Sequence, residues 1–541
     1  MIRLLIGPLV VIGFMSIPTA LMPSPRAAKD ILNLPAIPYR YANVTLPGHF
    51  THPGPSRDNT PPDNPLTDHG ATLGRVLFYD TRLSANNTTS CASCHVQAHA
   101  FSDPQSFSRG FDGATTDRRA MPLVNLRYYE RARFFWDERA GNLEEMVLLP
   151  IQSRIEMGQE IDRVVDTLAG DAIYPELFAR AFGDTQITEQ KIGKALAQFV
   201  RTIVSFKSRY DEERAHVRSA GDHFDNFTLQ ENRGKALFMR NCSSCHMKDA
   251  NEHFFVPTPA NTGLRRGDVT ADAGVGDVTL RHEDLGSFKS PSLRNVEVTA
   301  PYGHDGRFAT LDALIDHYSD NAIFDRNLGY MQPVGPLKFT TSEKAALIAF
   351  LKTLTDSAFL RDPRFANPFV NRKHIARTPQ TPVVAHMPPQ PRTMAGPSIP
   401  ERLMSFDRNA DHRLSREELP ERMHGLLARG DKNADADLDV EEIRTLLMAS
   451  LSAQRQSDVR LQPRHSDSSD GLRGVIHDLQ LTPHKHALAL AIVNRHDLVR
   501  SAELTNRATD AEMRAVLAAE EYENFKAAAA RLPEGRRIII K

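Results

Sequence analysis

Cys91-Ala92-Ser93-Cys94-His95 and Cys242-Ser243-Ser244-Cys245-His246 are two copies of one pattern, C-x-x-C-H, the haem c attachment spacing. Two thiols three positions apart on an incipient helical turn can both add to the vinyl groups of a porphyrin. The adjacent His then turns its imidazole to the iron as proximal ligand. A pair of disulfides, a zinc site or thioredoxin-like redox pairs would draw on the same thiols. The two motifs, however, use all four cysteines of the chain and both end in His, which favours two covalently bound haem c groups. Cys91, Cys94, His95, Cys242, Cys245 and His246 are therefore the candidate cofactor-binding residues, with His95 and His246 on the irons.

Outward from these motifs, 541 residues at about 150 per domain predict three to four modules. Lys+Arg total 66 against 67 Asp+Glu, a net charge of −1, which argues against a nucleic-acid partner because such binders carry a basic excess. Met1-Ile2-Arg3 is a short positive start, and the apolar run Leu4 to Met22 is broken by Gly7, Pro8, Gly13 and Pro18. That pattern suits a secretory signal peptide better than a spanning helix, with cleavage after Ala20 or Ala28. The expected location is periplasmic, where haem c is assembled. No later segment is long and apolar enough to span a bilayer, so no stable membrane insertion is expected after cleavage.

The predicted fold is mainly α: two cytochrome-c-like haem domains, then a pair of acidic loops and a helical tail. The expected partition is a signal peptide (1–28), a Pro-rich leader running as an extended arm over the surface (29–66), an N-terminal haem domain (67–215) and a C-terminal haem domain (216–362). A linker with nine prolines (363–400), the acidic loop pair (401–450) and a helical tail (451–541) with two amphipathic helices over 479–531 follow. Leu143–Leu149, Ile187–Phe206, Leu311–Tyr318 and Ser342–Leu354 have the apolar spacing of helices.

Several blocks besides the Cys motifs resemble the bacterial di-haem cytochrome c peroxidase and MauG family, on its MauG-like branch. They are Leu73-Gly-Arg-Val-Leu-Phe-Tyr-Asp80, Ala100-Phe-Ser-Asp103, Phe135-Trp136-Asp-Glu-Arg-Ala140, Arg154-Ile-Glu156-Met157-Gly158, Ser290-Pro-Ser-Leu-Arg-Asn-Val296 and Ala300-Pro-Tyr-Gly-His-Asp-Gly306. The resemblance covers about residues 65–360. It implies one haem per domain with the active site between them, and a peroxide site at the haem on His95. It further implies that Glu156, in a P-x5-E element begun by Pro150, serves as acid–base. Cleaving peroxide needs a group that takes a proton from one oxygen and delivers it to the other, which suits a carboxylate over an open iron position. Trp136, the single Trp, falls where the family places the aromatic between the haems. The second haem is expected to take a further ligand from the helix after Thr310-Leu311: Tyr318 by register, with His317 and Met331 as rivals. Anionic phenolate oxygen would favour a high oxidation state.

Three positions depart from the family pattern. The His that blocks the peroxide site until the second haem is reduced is replaced by Phe111, with only His99 nearby. The Gln that follows Leu-Glu-Glu is Met146. An interdomain calcium takes an Asn side chain where this chain has Arg119, which puts that calcium in question although Thr299 and Pro301 could still offer carbonyls.

Residues 407–418 and 431–442 follow the EF-hand loop pattern. The first would ligate calcium through Asp407, Asn409, Asp411, the Arg413 carbonyl, Ser415 and Glu418. The second would use Asp431, Asn433, Asp435, Asp437, Asp439 and Glu442, and should bind more tightly. Leu414 and Leu438 should pair across the two loops. His412 and Ala436 stand where Gly is usual, which makes the turn more costly.

The function expected from the family resemblance is reduction of hydrogen peroxide at the His95 haem. Its electrons would come through the second haem from a small redox protein or an oxidisable protein side chain. The alternatives are an electron-transfer cytochrome with both irons capped, and a calcium-dependent binding protein that has lost catalysis.

Overall fold

The computed structural model describes residues 31–50, 58–247, 252–256, 258–264, 272–281, 284–322, 337–370 and 403–446. The expected signal peptide, most of the linker, the rival ligand Met331 and the tail beyond 450 lie outside the described residues.

Two helix pairs organise the haem-binding halves, and they repeat one packing scheme. In the first half the Asp68–Tyr79 helix, capped by the Thr67 hydroxyl, crosses the Glu189–Thr202 helix. In the second the Leu229–Asn241 helix, with a Thr228/Glu231 capping box, crosses Thr341–Lys352. Each first helix carries a Gly four residues before a Phe, and each second helix an Ala four residues before a Phe, so both members of a pair lie on one helical face. A Cβ on Gly74 would collide with the Ala195 carbonyl, and one on Gly234 with the Ala346 carbonyl. The bare backbones let the axes approach. Phe78 then meets Phe199 at 5.2 Å between ring centres, and Phe238 meets Phe350 at 5.1 Å. Each crossing anchors its own apolar core. The Cys turns, Cys91–Cys94 and Ser243–His246, sit beside these crossings.

The expected Leu143–Leu149 helix is two single turns, Leu143–Met146 and Leu149–Gln152. The second turn begins on Leu149 with Pro150 next in line, a residue that is tolerated at a helix start but not in its interior. The helix after Thr310 runs Leu311–Asp316 and then widens into a π-helical turn, His317–Asn321.

The leader is more than a surface arm. Leu32 bridges Phe369, the buried Tyr41 donates its hydroxyl to the Arg364 carbonyl at 2.5 Å, and buried His49 reaches Asp211 at 2.8 Å. Its prolines keep it extended, but the aromatic side chains between them pack inward, so the chain ends of both halves are held together. Residues 363–370 join this packing through buried Phe365.

Residues 403–446 form a third, smaller core around Leu403, Leu414, Met423, Leu426, Leu438 and Ile443. Arg413–Leu414 and Leu438–Asp439 pair as a two-stranded antiparallel sheet, and Leu414 faces Leu438 as the sequence predicts. The core also takes in Val278 from the second haem-binding half. Among the described residues no helix is long and apolar enough to cross a membrane.

Candidate active site

A cavity of about 290 Å³ opens against the Cys91–Cys94 turn, and His95, Trp136, Pro150 and Glu156 line it together. The turn itself is fixed by a Ser90/Ser93 capping box. No disulfide joins the two thiols, and burial pushes each up to about 12. Next to them the Nδ1–H of His95 donates to the Phe101 carbonyl at 2.8 Å. Ala100 and Phe101 both adopt left-handed backbone, which turns that carbonyl back toward the ring. With Nδ1 held, Nε2 is left as the ligating nitrogen, the arrangement that fixes tautomer and orientation in metal-bound histidines.

Glu156 stands across the cavity from this turn. Burial raises its pKa; the Arg139 guanidinium and a hydrogen bond with Ser153 pull the other way without reversing the shift. Arg139 also lines the cavity, with its guanidinium 3.7 Å from the centre of the Phe135 ring and paired to Asp137 at 3.1 Å. Carboxyl and cation therefore share one enclosed space. Met146 lines it too, as expected from its place after Leu-Glu-Glu.

Phe111 binds the backbone beside Glu156, its N–H donating to the Glu156 carbonyl at 2.9 Å, and its ring lies over Gly158. His99 points elsewhere and donates to the Val298 carbonyl at 3.0 Å. Among the described residues His95 is the only histidine lining the cavity.

Trp136 closes the cavity where the two halves meet. Its indole N–H donates to the Arg119 carbonyl at 2.7 Å, and its own carbonyl accepts from the Lys289 backbone at 2.8 Å. Its ring lies 6.4 Å from His304, which is stacked on Phe288 at 3.8 Å. The Lys289 side chain is buried in the same wall with its ammonium 4.3 Å from the Tyr129 ring centre; burial pushes it down to about 7, against the pull of Glu138.

At the second Cys motif burial pushes His246 down to about 4, so the imidazole is neutral, the form that ligates iron. Tyr318 comes to the same place. Its hydroxyl is pushed up to about 12 by burial and by the nearby Cys242 and Cys245 thiols. The rival His317 has its Nε2 committed to the Thr262 carbonyl at 2.7 Å.

Arg119 spans the two halves. Its guanidinium donates to the Asp103 carbonyl at 2.6 Å and to the Ala300 carbonyl at 3.1 Å, while its backbone N–H donates to the His304 carbonyl at 2.8 Å. A fixed cation thus engages carbonyls at the position where the family pattern would put an Asn beside calcium.

In the acidic loops Asp407 and Asp431 each accept from the backbone three and five residues on, and Glu418 and Glu442 each fold back onto the start of their own loop. His412 and Ala436 have φ of 64° and 73°, the left-handed conformation that Gly would adopt without strain. Oxygens of Asp431, Asp435 and Glu442 lie within 4.8 Å of one another. The Arg413 side chain reaches across to Asp435 at 2.5 Å.

Residues 68–217 match the family model for di-haem cytochrome c peroxidase, and residues 231–355 match that for cytochrome c. The chain is 33% identical over 322 residues to the methylamine utilization protein MauG of Methylophilus methylotrophus, an alignment covering 58% of this chain and 91% of that protein. This chain belongs to the di-haem cytochrome c peroxidase family. The family also brings 31% identity over 292 residues with the cytochrome c551 peroxidase of Nitrosomonas europaea, covering 53% and 79% of the two chains. A solved MauG-like protein associated with microbial copper homeostasis superposes with a TM-score of 0.53 at 34% identity, over 60% of this chain and 99% of that one. Membership makes the chain a di-haem enzyme with peroxide-linked redox chemistry and two covalently bound haem c groups. Neither family model extends to residues 403–446.

Arg139 and Lys289 were not singled out by sequence. Their signal was adjacency: Arg139 lies inside the Phe135–Ala140 block, and Lys289 directly precedes Ser290-Pro-Ser. The cavity also takes residues from a third source, the 403–446 module, and no sequence signal announced them.

Proposed function

We propose that this di-haem enzyme reduces hydrogen peroxide at the haem carried by Cys91, Cys94 and His95, and draws the electrons through the haem carried by Cys242, Cys245 and His246. The residues present fit the first group: Cys91, Cys94 and His95, the last held through Nδ1 by the Phe101 carbonyl, border one cavity. When bound, the haem iron supplies the peroxide-binding position and the electron transfers. The chain supplies the rest. Glu156 takes a proton from the iron-proximal oxygen of peroxide and delivers it to the departing one, so that two electrons and two further protons complete reduction to two waters. The Arg139 guanidinium offsets negative charge that develops between them. Pro150 stands at the start of the Leu149–Gln152 turn, which leads into the turn that carries Glu156. Trp136 relays electrons at the junction of the halves, and Tyr318, which lies by the Cys242 and Cys245 thiols, would be the second protein ligand at the His246 haem. The observation that carries this reading is that Glu156 and His95 face one cavity with Trp136 in its wall.

The protein is exported to the periplasm, the haem domains are 67–215 and 216–362, and residues 401–450 are a calcium-binding EF-hand pair. The reductant is a small redox protein or an oxidisable protein side chain; Phe111, with its ring away from the cavity, favours the second, because the oxidised enzyme then has an open iron. The test is to mix the fully oxidised, doubly haem-loaded protein with stoichiometric hydrogen peroxide and no reductant. An optical change of the haems within milliseconds is expected. If only the half-reduced protein responds, the iron is capped and the reductively activated scheme replaces this one.

A further inference from the structure

The 403–446 module does more than follow the haem domains in sequence: it builds one wall of the peroxide cavity. Leu403, Phe406, Arg408, Glu418 and Met423 all line that space. Its contacts with the first half fall on a short stretch of chain. Arg408 binds the Gln152 side chain, in the same turn as Pro150. Arg422 donates to the Glu138 carbonyl, one residue before Arg139, and the Glu421 N–H donates to the Glu145 carboxylate at 3.3 Å. Phe406 lies 6.0 Å from the Arg139 guanidinium, on which Phe135 also stacks. These partners all fall in the stretch 138–152, which includes Arg139 and leads into the turn bearing Glu156, and none falls in the Cys91–His95 turn; the module's other contacts are with Val278 and Thr279 of the second half. The wall therefore adjoins the side of the cavity on which Arg139 and Glu156 would meet peroxide. Leu403 and Met423, 3% and 1% exposed, are fixed in the module's own core, and the partly buried Phe406 packs against that core.

We propose that Leu403, Phe406 and Met423 are specificity-determining residues that restrict the open iron position to oxidants of about the size of hydrogen peroxide and exclude organic hydroperoxides with bulky substituents. This rests on the reading that the His95 haem is the peroxide site. A rigid apolar wall rejects by volume: a bulky substituent must displace packed side chains, while hydrogen peroxide needs only the space next to Glu156. Bulky reductants are screened by the same wall, so electrons have to arrive through Trp136 and the second haem.

The oxidised, fully loaded protein is titrated optically with cyanide, a small iron ligand, and with 4-phenylimidazole, a bulky one. Wild type should bind cyanide and show no response to 4-phenylimidazole. Phe406→Ala and Met423→Ala should each gain at least about ten-fold in 4-phenylimidazole affinity with cyanide affinity held within about two-fold, the scale set by a few buried carbon atoms. Phe406→Leu, a milder change, should fall between. The same variants should raise the rate with cumene hydroperoxide relative to hydrogen peroxide. If wild type binds both ligands alike, or the variants leave their ratio unchanged, the wall does not select by size and the proposal falls while the peroxide site stands. If cyanide binds neither wild type nor variants, the iron is not open, and the peroxide reading and the wall fall together.

Discussion

Asp211→Asn should destabilise the protein by about 3 kcal/mol, and the structure shows why the value sits at the low end of the roughly 3–5 kcal/mol range for breaking a buried pair. Asp211 and Arg294 have side chains 2% and 0% exposed and meet through two parallel bonds of 2.7 and 2.8 Å. At an effective dielectric near 20 such a pair attracts by about 4 kcal/mol. Asn keeps the shape but removes the charge, so the Arg294 guanidinium stays buried without its counter-ion. It is not left bare: the Glu252 carbonyl still accepts at 2.8 Å and the Phe50 ring lies 4.5 Å away. At about 2–4 °C per kcal/mol, Tm by calorimetry should fall by about 6–12 °C at pH 7. The pH dependence has a definite sign. Burial alone would raise the Asp211 pKa, but Arg294, with hydrogen bonds from His49 and Ser208, holds it well below the usual carboxylate range. A depressed folded value gives stabilisation that is complete above the unfolded value of about 3.9 and is lost as pH falls below it. The gap between wild type and Asn variant should therefore narrow by about 1 kcal/mol by about pH 3. A Tm loss under about 2 °C, or a gap of constant size from about pH 7 to about pH 3, would refute the assignment of this pair as a clamp.

Glu156→Gln should slow the reaction of the oxidised protein with peroxide by about 10²–10⁴-fold, followed by stopped-flow optical spectroscopy. Because burial raises the Glu156 pKa, the wild-type rate should fall with decreasing pH earlier than an ordinary carboxylate would allow, while the Gln variant stays flat. Tyr318→Phe should change the spectrum and potential of one haem only; an unchanged low-spin spectrum would hand the ligand role to His317 or Met331. Calorimetry on the whole protein should show calcium binding that Glu442→Gln largely abolishes, and no heat at about 10⁻³ M calcium, the weak end for such loops, would refute the EF-hand assignment.

Sequence carried the local parts of this molecule best. The C-x-x-C-H spacing places thiols and His on one turn whatever surrounds it, and the Leu414–Leu438 pairing follows from loop phase alone. Contacts set by tertiary packing were harder to see. Tyr318 could be nominated by register, but its place beside the Cys242 and Cys245 thiols is set by tertiary packing. The leader read as a solvated arm because prolines and polar residues dominate it, yet Tyr41 and His49 find buried partners hundreds of residues away in one case and far along the chain in the other. Arg139 drew no notice, since a charged residue inside a motif has no periodicity to betray that it faces a cavity. The wall from residues 403–446 left no trace at all, because nothing in an acidic loop pair says which surface it will cover.

That wall has a consequence for how the cofactor is received. Cys91 and Cys94 border the same space as Leu403, Phe406 and Met423, which come far later in the chain. A porphyrin entering from the side of residues 403–446 would meet side chains already packed in a core of their own. The first haem should therefore be received more readily by a chain whose 403–446 segment has not yet docked than by one folded throughout.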